Sequence, residues 1–308
     1  MKKRFNLGKV FLLLTGIIVL LTGFYPVTGM EAEARPGSRQ VNAELADDRQ
    51  PGEEPVSGRV AVLTFHAVSE KTEISPVIIS SGELEKTFKM MLDRGYTLIT
   101  LDQFHDFIDG TSGVPDKSVL ITFDDGYEDN YTLAYPVAKK YSVPAVIFPV
   151  TKWFSDYPRP EPHRPHMTLE QAISLEEEGL WDFGSHSHDG HRKIPGETGA
   201  GPFFSTLVVQ PGYRESDGEF KARIWADVSL SMYTLEKMGI EQVDFAFPYG
   251  SYNDMAKQVL TAAGYKYLYT NEPGINEAGQ DPNHIYRISS AYTAEGNLAL
   301  LDYYFSLK

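Results

Sequence analysis

Two adjacent carboxylates at the end of an apolar segment supply the first candidate chemistry. Asp124 and Asp125 follow the mostly apolar residues 118–123 and precede Gly126. A short apolar run of this kind predicts a buried strand that delivers both acids to the end of a sheet. Neighbouring carboxylates repel each other, and they are tolerated where a cation or a shared proton absorbs the charge. Taken alone, the same residues could form a solvated Asp-Asp-Gly turn.

Histidines further along the chain supply the complementary ligands. His186 and His191 lie five residues apart in a segment that also contains Gly184 and Gly190. The glycines predict an irregular loop that brings both imidazoles to one point. His188 between them is expected either to point away or to contact a ligand rather than the metal. One carboxylate and two histidines make an open hydrolytic metal site, and the second carboxylate is then free to act as a base. A polar surface loop with incidental histidines is the alternative.

Three further residues are candidates for roles in the same site. His66 follows the predicted strand 60–65 and is a candidate general acid. The turn at residues 248–250, Pro-Tyr-Gly, could aim the backbone N–H of Tyr249 at a developing oxyanion. Arg287 could neutralise the doubled aspartate charge. The plainer alternatives are a structural histidine, an ordinary strand-to-helix turn and a surface salt bridge.

A glycine-rich stretch over residues 196–212 predicts a mobile loop near the mouth of the site. It contains Phe203 and Phe204, whose rings could stack on sugars. The remaining histidines are expected to be structural or exposed rather than ligands: His105, His163, His166 and His284.

The elements that must position these residues alternate between strand and helix. This alternation indicates an α/β protein with a parallel sheet or barrel, in which chemistry lies at the carboxyl ends of the strands. The predicted strands are 60–65, 96–100, 119–123, 145–150, 183–185, 244–247, 267–270 and 285–288. One predicted helix begins at Ser81, and a second is capped by Asp102 and runs through Ile108. The other predicted helices cover 131–141, 168–178, 216–238, 254–263 and 295–305.

Composition excludes several classes of function. The 308-residue chain has a formal net charge of -14 and no evident basic stripe, which argues against nucleic acid as a partner. It contains no cysteine, so disulfides, thiolate zinc sites and a lipid-anchor cysteine are excluded. The acidic balance suits a neutral or cationic partner. The sequence predicts no particular oligomeric state.

The N-terminus predicts export. Three basic residues within the first four positions precede an apolar run over residues 10–24, the order found in signal peptides. We assign residues 1–30 to a signal peptide or an uncleaved membrane anchor, since the run is short for a spanning helix of about 20 residues. The polar residues 31–58 predict a disordered linker, and residues 59–308 the folded catalytic domain.

Together these motifs resemble the polysaccharide deacetylases of carbohydrate esterase family four, the NodB-homology fold. The resemblance covers residues 59–308 and rests on the Asp-Asp-Gly run, the histidine loop and the Pro-Tyr-Gly turn. It implies a distorted (β/α) barrel of about seven parallel strands. It also implies that Asp124 is the base and that Asp125, His186 and His191 hold a divalent metal. Zn²⁺ is expected first, with Co²⁺ or Ni²⁺ as alternatives.

Two departures from the common family pattern point to one subgroup. Phe247 stands where common members carry an arginine, and no histidine follows His284 to supply the usual C-terminal acid. The chain is instead similar to the intercellular adhesin (poly-N-acetylglucosamine) deacetylases, in which the histidines are five apart and the barrel is circularly permuted. In that subgroup the acid histidine lies in the first strand, which matches His66. Arg287 is then the candidate substitute for the missing arginine.

The resemblance implies a secreted, metal-dependent N-deacetylase at a bacterial cell surface. Its expected partner is an N-acetylglucosamine-containing exopolysaccharide, with poly-β-1,6-N-acetylglucosamine first. Peptidoglycan or chitin N-deacetylation and xylan O-deacetylation are alternatives on the same fold. A non-catalytic wall-polysaccharide-binding protein on this scaffold is the alternative from a different class.

Overall fold

The structure is a computed structural model, and it describes residues 58–71, 75–154, 164–240 and 243–307. The predicted signal or anchor segment, residues 1–30, and residues 31–57 of the predicted linker lie outside the described residues. Within the described residues, no helix combines the length and the apolar character needed to cross a membrane.

Strands and helices alternate along the described chain. The α-helices are α1 (Ser81–Asp93), α2 (Leu101–Ile108), α3 (Tyr135–Lys140), α4 (Leu169–Glu178), α5 (Asp217–Glu236), α6 (Asp254–Ala263) and α7 (Ala294–Ser306). The strands are β1 (Arg59–Phe65), β2 (Ala67–Ser69), β3 (Ile78–Ser80), β4 (Thr97–Leu98), β5 (Ser118–Asp125), β6 (Ala145–Pro149), β7 (Trp181–Phe183), β8 (Lys193–Gly196), β9 (Gly199–Pro202), β10 (Val209–Gln210), β11 (Tyr213–Arg214), β12 (Asp244–Ala246), β13 (Tyr267–Tyr269), β14 (Asn276–Glu277) and β15 (Ile288–Ser289).

Seven parallel strands form a closed ring. β1 pairs with β5 and β15, β5 pairs with β6, β6 with β7, and β12 with β13. Two single parallel bridges complete the ring, one from Ser185 to Phe245 and one from Tyr269 to Ile285. The predicted distorted (β/α) barrel of about seven parallel strands is therefore confirmed, while its circular permutation stays a prediction.

Side-chain alternation along the strands divides the core into layers. Val119, Ile121 and Phe123 of β5 pack in the layer between the barrel and its helices, whereas Leu120 faces the barrel interior. The interior is filled from β1, β5, β6, β12 and β13 by Val62, Leu120, Val146, Phe148, Ala246 and Tyr269. Helix α2 contributes Phe104 and Phe107 to this interior cluster. The barrel is thus a packed core that leaves the strand ends for the site.

Two helix predictions were wrong in their details. Thr100, not Asp102, caps α2. Its hydroxyl accepts a hydrogen bond from the N–H of Gln103, and the Gln103 side-chain oxygen accepts one from the N–H of Thr100. The predicted helix over 131–141 is a π-helical turn, Asn130–Ala134, followed by α3. Pro136, in the first turn of α3, lacks the N–H that would continue an α-helical ladder from the preceding segment.

The glycine-rich stretch after the histidine loop is not the predicted mobile loop. It forms two antiparallel hairpins, β8–β9 and β10–β11. Phe203 and Phe204 are buried, and the Phe204 ring lies 5.3 Å from that of Phe245 in β12. Their burial excludes the suggested stacking on sugar rings, since the apolar rings stabilise the attachment of the hairpins instead.

Closure of the barrel leaves no room for a side chain at Gly184, which follows β7. A Cβ there would meet Phe148 Cε1 at 2.3 Å and the Cβ of Asp244 at 3.1 Å. We expect Gly184→Ala to lower the free energy of unfolding by about 1–3 kcal/mol, because the aromatic ring of Phe148 must shift to make room for the new methyl group. Gly218→Ala on α5, where a Cβ meets nothing within 4 Å, should cause no loss. Urea denaturation of both variants checks this, and equal stability of the two would contradict it.

Candidate active site

The carboxyl ends of the barrel strands bring the predicted residues together. Asp124 and Asp125 end β5, and His66 directly follows β1. His186 follows the bridge residue Ser185, and Tyr249 lies in the turn after β12. These elements are far apart in sequence, so the barrel is what assembles the site.

Asp125, His186 and His191 form a group that could hold a metal ion. One ligand atom from each lies within 4.8 Å of the others. The Nε2 atom of His191 is 3.4 Å from Asp125 Oδ1, and that of His186 is 3.8 Å from the same oxygen. Both imidazoles therefore converge on one carboxylate oxygen.

The donor atoms of this group fit a divalent cation. Asp125 Oδ1 is buried without a hydrogen-bond partner, which is costly unless something else satisfies it. His186 Nδ1 donates to the carbonyl of Ala246 at 2.8 Å, so its lone pair is on Nε2, facing Asp125. Burial lowers the pKa of His186 to about 4, so the ring is neutral at neutral pH. One carboxylate and two neutral imidazoles are ligands that Zn²⁺ and related ions accept.

Three non-glycine residues of this region adopt the left-handed backbone conformation. Asp125 has φ 72°, Ser187 φ 81° and Tyr249 φ 59°. Such residues cost on the order of 1 kcal/mol or more each and persist where surrounding structure fixes them. Their convergence marks this end of the barrel as a site shaped for a purpose other than stability.

Asp124 forms an ion pair with Arg287 and is not part of the possible metal-binding group, Asp125, His186 and His191, which we call the ligand group. Arg287 donates to both carboxylate oxygens of Asp124, at 2.8 and 2.9 Å, and both residues are fully buried. The guanidinium also donates to Thr270 O at 2.7 Å and to Asn271 Oδ1 at 2.6 Å. Burial raises the pKa of Asp124, but the charges of Arg287 and of nearby histidines outweigh it and hold that pKa well below its usual range. Asp124 therefore stays ionised at neutral pH.

His66 also lies near Asp124. Its Nε2 atom is 4.0 Å from Asp124 Oδ2, and His186 Nε2 lies at the same distance from that oxygen. The His66 carbonyl accepts a hydrogen bond from the buried Asn130 at 2.8 Å, which fixes the backbone there. The side chain of His66 remains partly exposed, so it can meet a ligand that enters from solvent.

The Pro-Tyr-Gly turn sets Tyr249 over the histidine loop. The Tyr249 ring lies 4.4 Å from the His191 ring, and its hydroxyl donates to the His191 carbonyl at 3.4 Å. Gly250 follows with φ 62°, and a Cβ there would meet the Cβ of Asn271 at 2.5 Å. The turn therefore requires glycine at this position.

Sequence reasoning missed several residues that surround the site. Trp153 packs 5.4 Å from His191 between ring centroids, and His166 lies 4.6 Å from Trp153. Asn271 accepts from Arg287. Trp153 and Asn271 lie within a few residues of strand ends, a position that could have found both. His188 behaves as expected, since its Nδ1 bonds with Thr151 Oγ1 at 3.0 Å outside the ligand group.

The sequence model of the family described as polysaccharide deacetylase matches residues 111–268, about half of the chain. The chain belongs to the polysaccharide deacetylase family. The matched range includes Asp124, Asp125, His186, His191 and Tyr249, whereas His66 and Arg287 lie outside it.

The chain is similar in sequence to proteins of this family and in fold to a solved member. It is 26% identical over 241 residues to the poly-β-1,6-N-acetyl-D-glucosamine N-deacetylase of Escherichia coli K12, a match that covers 73% of this chain and 36% of that protein. The chain thus spans about a third of that relative. It is 28% identical over 206 residues to the Staphylococcus aureus MRSA252 protein of the same name, a match that covers 66% of this chain and 64% of that protein. A solved de-N-acetylase from Aggregatibacter actinomycetemcomitans is 26% identical, with a TM-score of 0.71 over 80% of this chain and 99% of that one.

The buried ion pair between Asp124 and Arg287 predicts a specific pattern of stability. Arg287→Gln leaves the Asp124 carboxylate buried without its cation, which should cost about 3–5 kcal/mol of unfolding free energy. Adding Asp124→Asn removes the uncompensated charge and should recover much of that loss.

Urea denaturation of the metal-free proteins measures both effects. Arg94→Gln serves as the control, because its pair with Asp302 is about half exposed and should contribute less than about 1 kcal/mol. Additive losses in the double variant would show that the two buried charges are not coupled.

Proposed function

We propose that the protein is a secreted, metal-dependent N-deacetylase of an N-acetylglucosamine exopolysaccharide, with poly-β-1,6-N-acetylglucosamine as the first substrate. The observation that carries this proposal is the convergence of Asp125, His186 and His191 beside an ionised Asp124. The printed names of the Escherichia coli and Staphylococcus aureus relatives support the substrate class. Export rests on the N-terminal basic and apolar pattern of residues 1–30.

Asp125, His186 and His191 would hold the ion, with Zn²⁺ first. When bound, a divalent cation there supplies Lewis acidity toward a carbonyl oxygen and makes water more acidic. Asp124 then accepts the proton of the attacking water, and its Oδ2 atom faces the ligand group. Arg287 keeps Asp124 ionised and fixes the plane of its carboxylate, so the base is oriented before substrate arrives.

His66 completes the proton transfers. Attack by water on the acetamide carbon requires that the departing nitrogen receive a proton, and the partly exposed His66 side chain lies 4.0 Å from Asp124. Its proton goes to that nitrogen, giving a free amine on the sugar and acetate. The Tyr249 backbone N–H is the proposed donor to the negative charge that develops on the acetamide oxygen.

The charge of the protein suits the product of this reaction. Each deacetylated sugar gains a cationic amine, and the chain carries a formal net charge of -14. Long-range attraction would retain a partly deacetylated polymer near the surface.

Substitutions separate the proposed roles of the two aspartates. Asp124→Asn should lower kcat by at least about 100-fold, because the base is lost, with metal content per chain unchanged. Asp125→Asn should lose the metal itself. Metal analysis after gel filtration, together with acetate release, measures both. Loss of metal in Asp124→Asn would show that the aspartate roles are exchanged.

A histidine pair tests the acid. His66→Ala should lower kcat by about 100-fold or more with metal retained, since the leaving amine is no longer protonated. His284→Ala, whose imidazole instead pairs with Glu272 at 3.2 Å, is the matched control and should retain activity. Equal activity of the two variants would exclude His66 as the acid.

Substrate class is settled by a panel of polymers assayed side by side. Zn²⁺- or Co²⁺-loaded protein comprising residues 59–308 is incubated with β-1,6-linked N-acetylglucosamine oligomers, chitin oligomers, peptidoglycan and acetylated xylan. We expect acetate release from the β-1,6-linked oligomers. Acetate release from another polymer alone would support deacetylation but reject poly-β-1,6-N-acetylglucosamine as the substrate. No release by metal-loaded protein would favour a polysaccharide-binding role on the same scaffold.

A further inference from the structure

The segment between the two histidine ligands is held by an unusually complete set of backbone contacts. We call residues 186–191 the metal loop. The carbonyls of Ser187 and His188 accept from the N–H groups of Thr151 and Lys152, at 3.0 and 3.1 Å. The N–H of Gly190 donates to Ser187 Oγ at 3.0 Å. The loop contains no regular helix or strand, so these contacts replace a hydrogen-bonded ladder.

Two successive N–H groups at the middle of the loop donate to a single side chain from α5. Asp227 Oδ1 accepts from the N–H of His188 at 3.0 Å, and Asp227 Oδ2 accepts from that of Asp189 at 2.7 Å. Asp227 is buried at 6% exposure. One turn later on the same helix, the hydroxyl of Ser231 lies 2.7 Å from that of Ser185, immediately before the first histidine ligand. The same face of α5 therefore contacts the loop at its entrance and at its centre.

A carboxylate is suited to this position by its two equivalent acceptors. Each oxygen takes one N–H, and a hydrogen bond to a charged acceptor is roughly twice as strong as a neutral one. An amide has only one acceptor, and its NH₂ group would face one of the loop N–H groups. The loop also contains Ser187 in the left-handed conformation, which must be imposed by such contacts.

We propose that Asp227 is the positioning residue that holds the metal loop in its ligating form, so that His186 and His191 meet Asp125 without a cost of ordering when the ion binds. The proposal rests on the metal site of the proposed function. Asp227 touches neither the ligand atoms nor the substrate, and it acts through the backbone between the two ligands. Residues that orient metal ligands typically contribute about 10–100-fold to metal affinity.

The same helix supplies a matched control. Arg223 lies one turn before Asp227 and is part-buried. It donates to the carbonyls of Phe203 and Thr206 at 3.0 Å and pairs with Glu215 at 2.7 Å. It therefore attaches the hairpin segment to α5, with no bond to the metal loop among the described contacts. A substitution there weakens the packing of α5 without changing what holds the loop.

The experiment measures metal affinity directly. Zn²⁺ is titrated against a chromophoric chelator into wild-type protein, Asp227→Asn, Asp227→Glu and Arg223→Gln, with thermal melting of each metal-free protein. Burial raises the pKa of Asp227 to about 6, so mildly alkaline buffer keeps it ionised. We expect Kd to rise about 10–100-fold in Asp227→Asn and to stay at the wild-type value in Arg223→Gln, even where Arg223→Gln melts at a lower temperature.

A second readout reports the geometry of the ligands. The absorption spectrum of Co²⁺-loaded Asp227→Asn should shift, because the histidines are no longer held in one arrangement. Asp227→Glu keeps both oxygens one methylene further along and should bind with intermediate affinity; it carries the test if Asp227→Asn does not fold.

The outcomes separate the two proposals. Wild-type affinity in a folded Asp227→Asn would overturn the positioning role and leave the proposed function standing. An equal loss in Arg223→Gln would also overturn it, since general weakening of α5 would then be enough. If wild-type protein binds no Zn²⁺ or Co²⁺, the proposed function itself fails.

Discussion

Two consecutive buried carboxylates cannot both remain charged unless each has its own cation. At about 4 Å and an effective dielectric near 20, two like charges oppose each other by about 4 kcal/mol, before the cost of removing them from water. The structure separates the two demands. Asp124 is neutralised by the two parallel bonds from Arg287, and Asp125 keeps a buried oxygen without a protein partner. The proposed roles of Asp124 as the base and Asp125 as the metal ligand follow from this division of charge.

This division depends on the closed barrel. Asp124 and Arg287 are 163 positions apart, and Arg287 reaches the aspartate from the segment that leads into β15, next to β1. Its Nε donates to Thr270, just after β13, so three strand ends meet at one guanidinium. Because the cation is delivered by the last strand, the charge of Asp124 is compensated only when the ring is complete. Fold and site are in this sense a single cooperative structure.

Patterns local in sequence were predictable, and contacts across the barrel were not. The strand that ends in Asp124 and Asp125 was evident from its apolar run, and the histidine loop from its glycines. Arg287 was left between two alternatives, because nothing near it in sequence shows that the last strand pairs with β1 and brings the guanidinium to the end of β5. Asp227 had no sequence signal at all, since an aspartate within a helix is usually solvated. Phe203 and Phe204 were misjudged because neighbouring glycines suggested mobility, whereas burial of both rings decides their conformation.

The seven-stranded ring is not equally well paired along its circumference. β1 and β5 share six residue pairs, whereas Ser185 meets Phe245, and Tyr269 meets Ile285, through one bridge each. Backbone hydrogen bonds at such single bridges open at lower free energy than those of the longer strand pairings, and this difference is visible as faster hydrogen exchange of their amides. Asp125 ends the well-paired strand β5, and His186 follows the single bridge between Ser185 and Phe245. The Nδ1 atom of His186 donates to the carbonyl of Ala246 in β12 at 2.8 Å, so an ion that fixes the His186 ring should slow hydrogen exchange at the amide of Ala246, which donates to Ser185. The proposed metal site would then also strengthen the closure of the barrel.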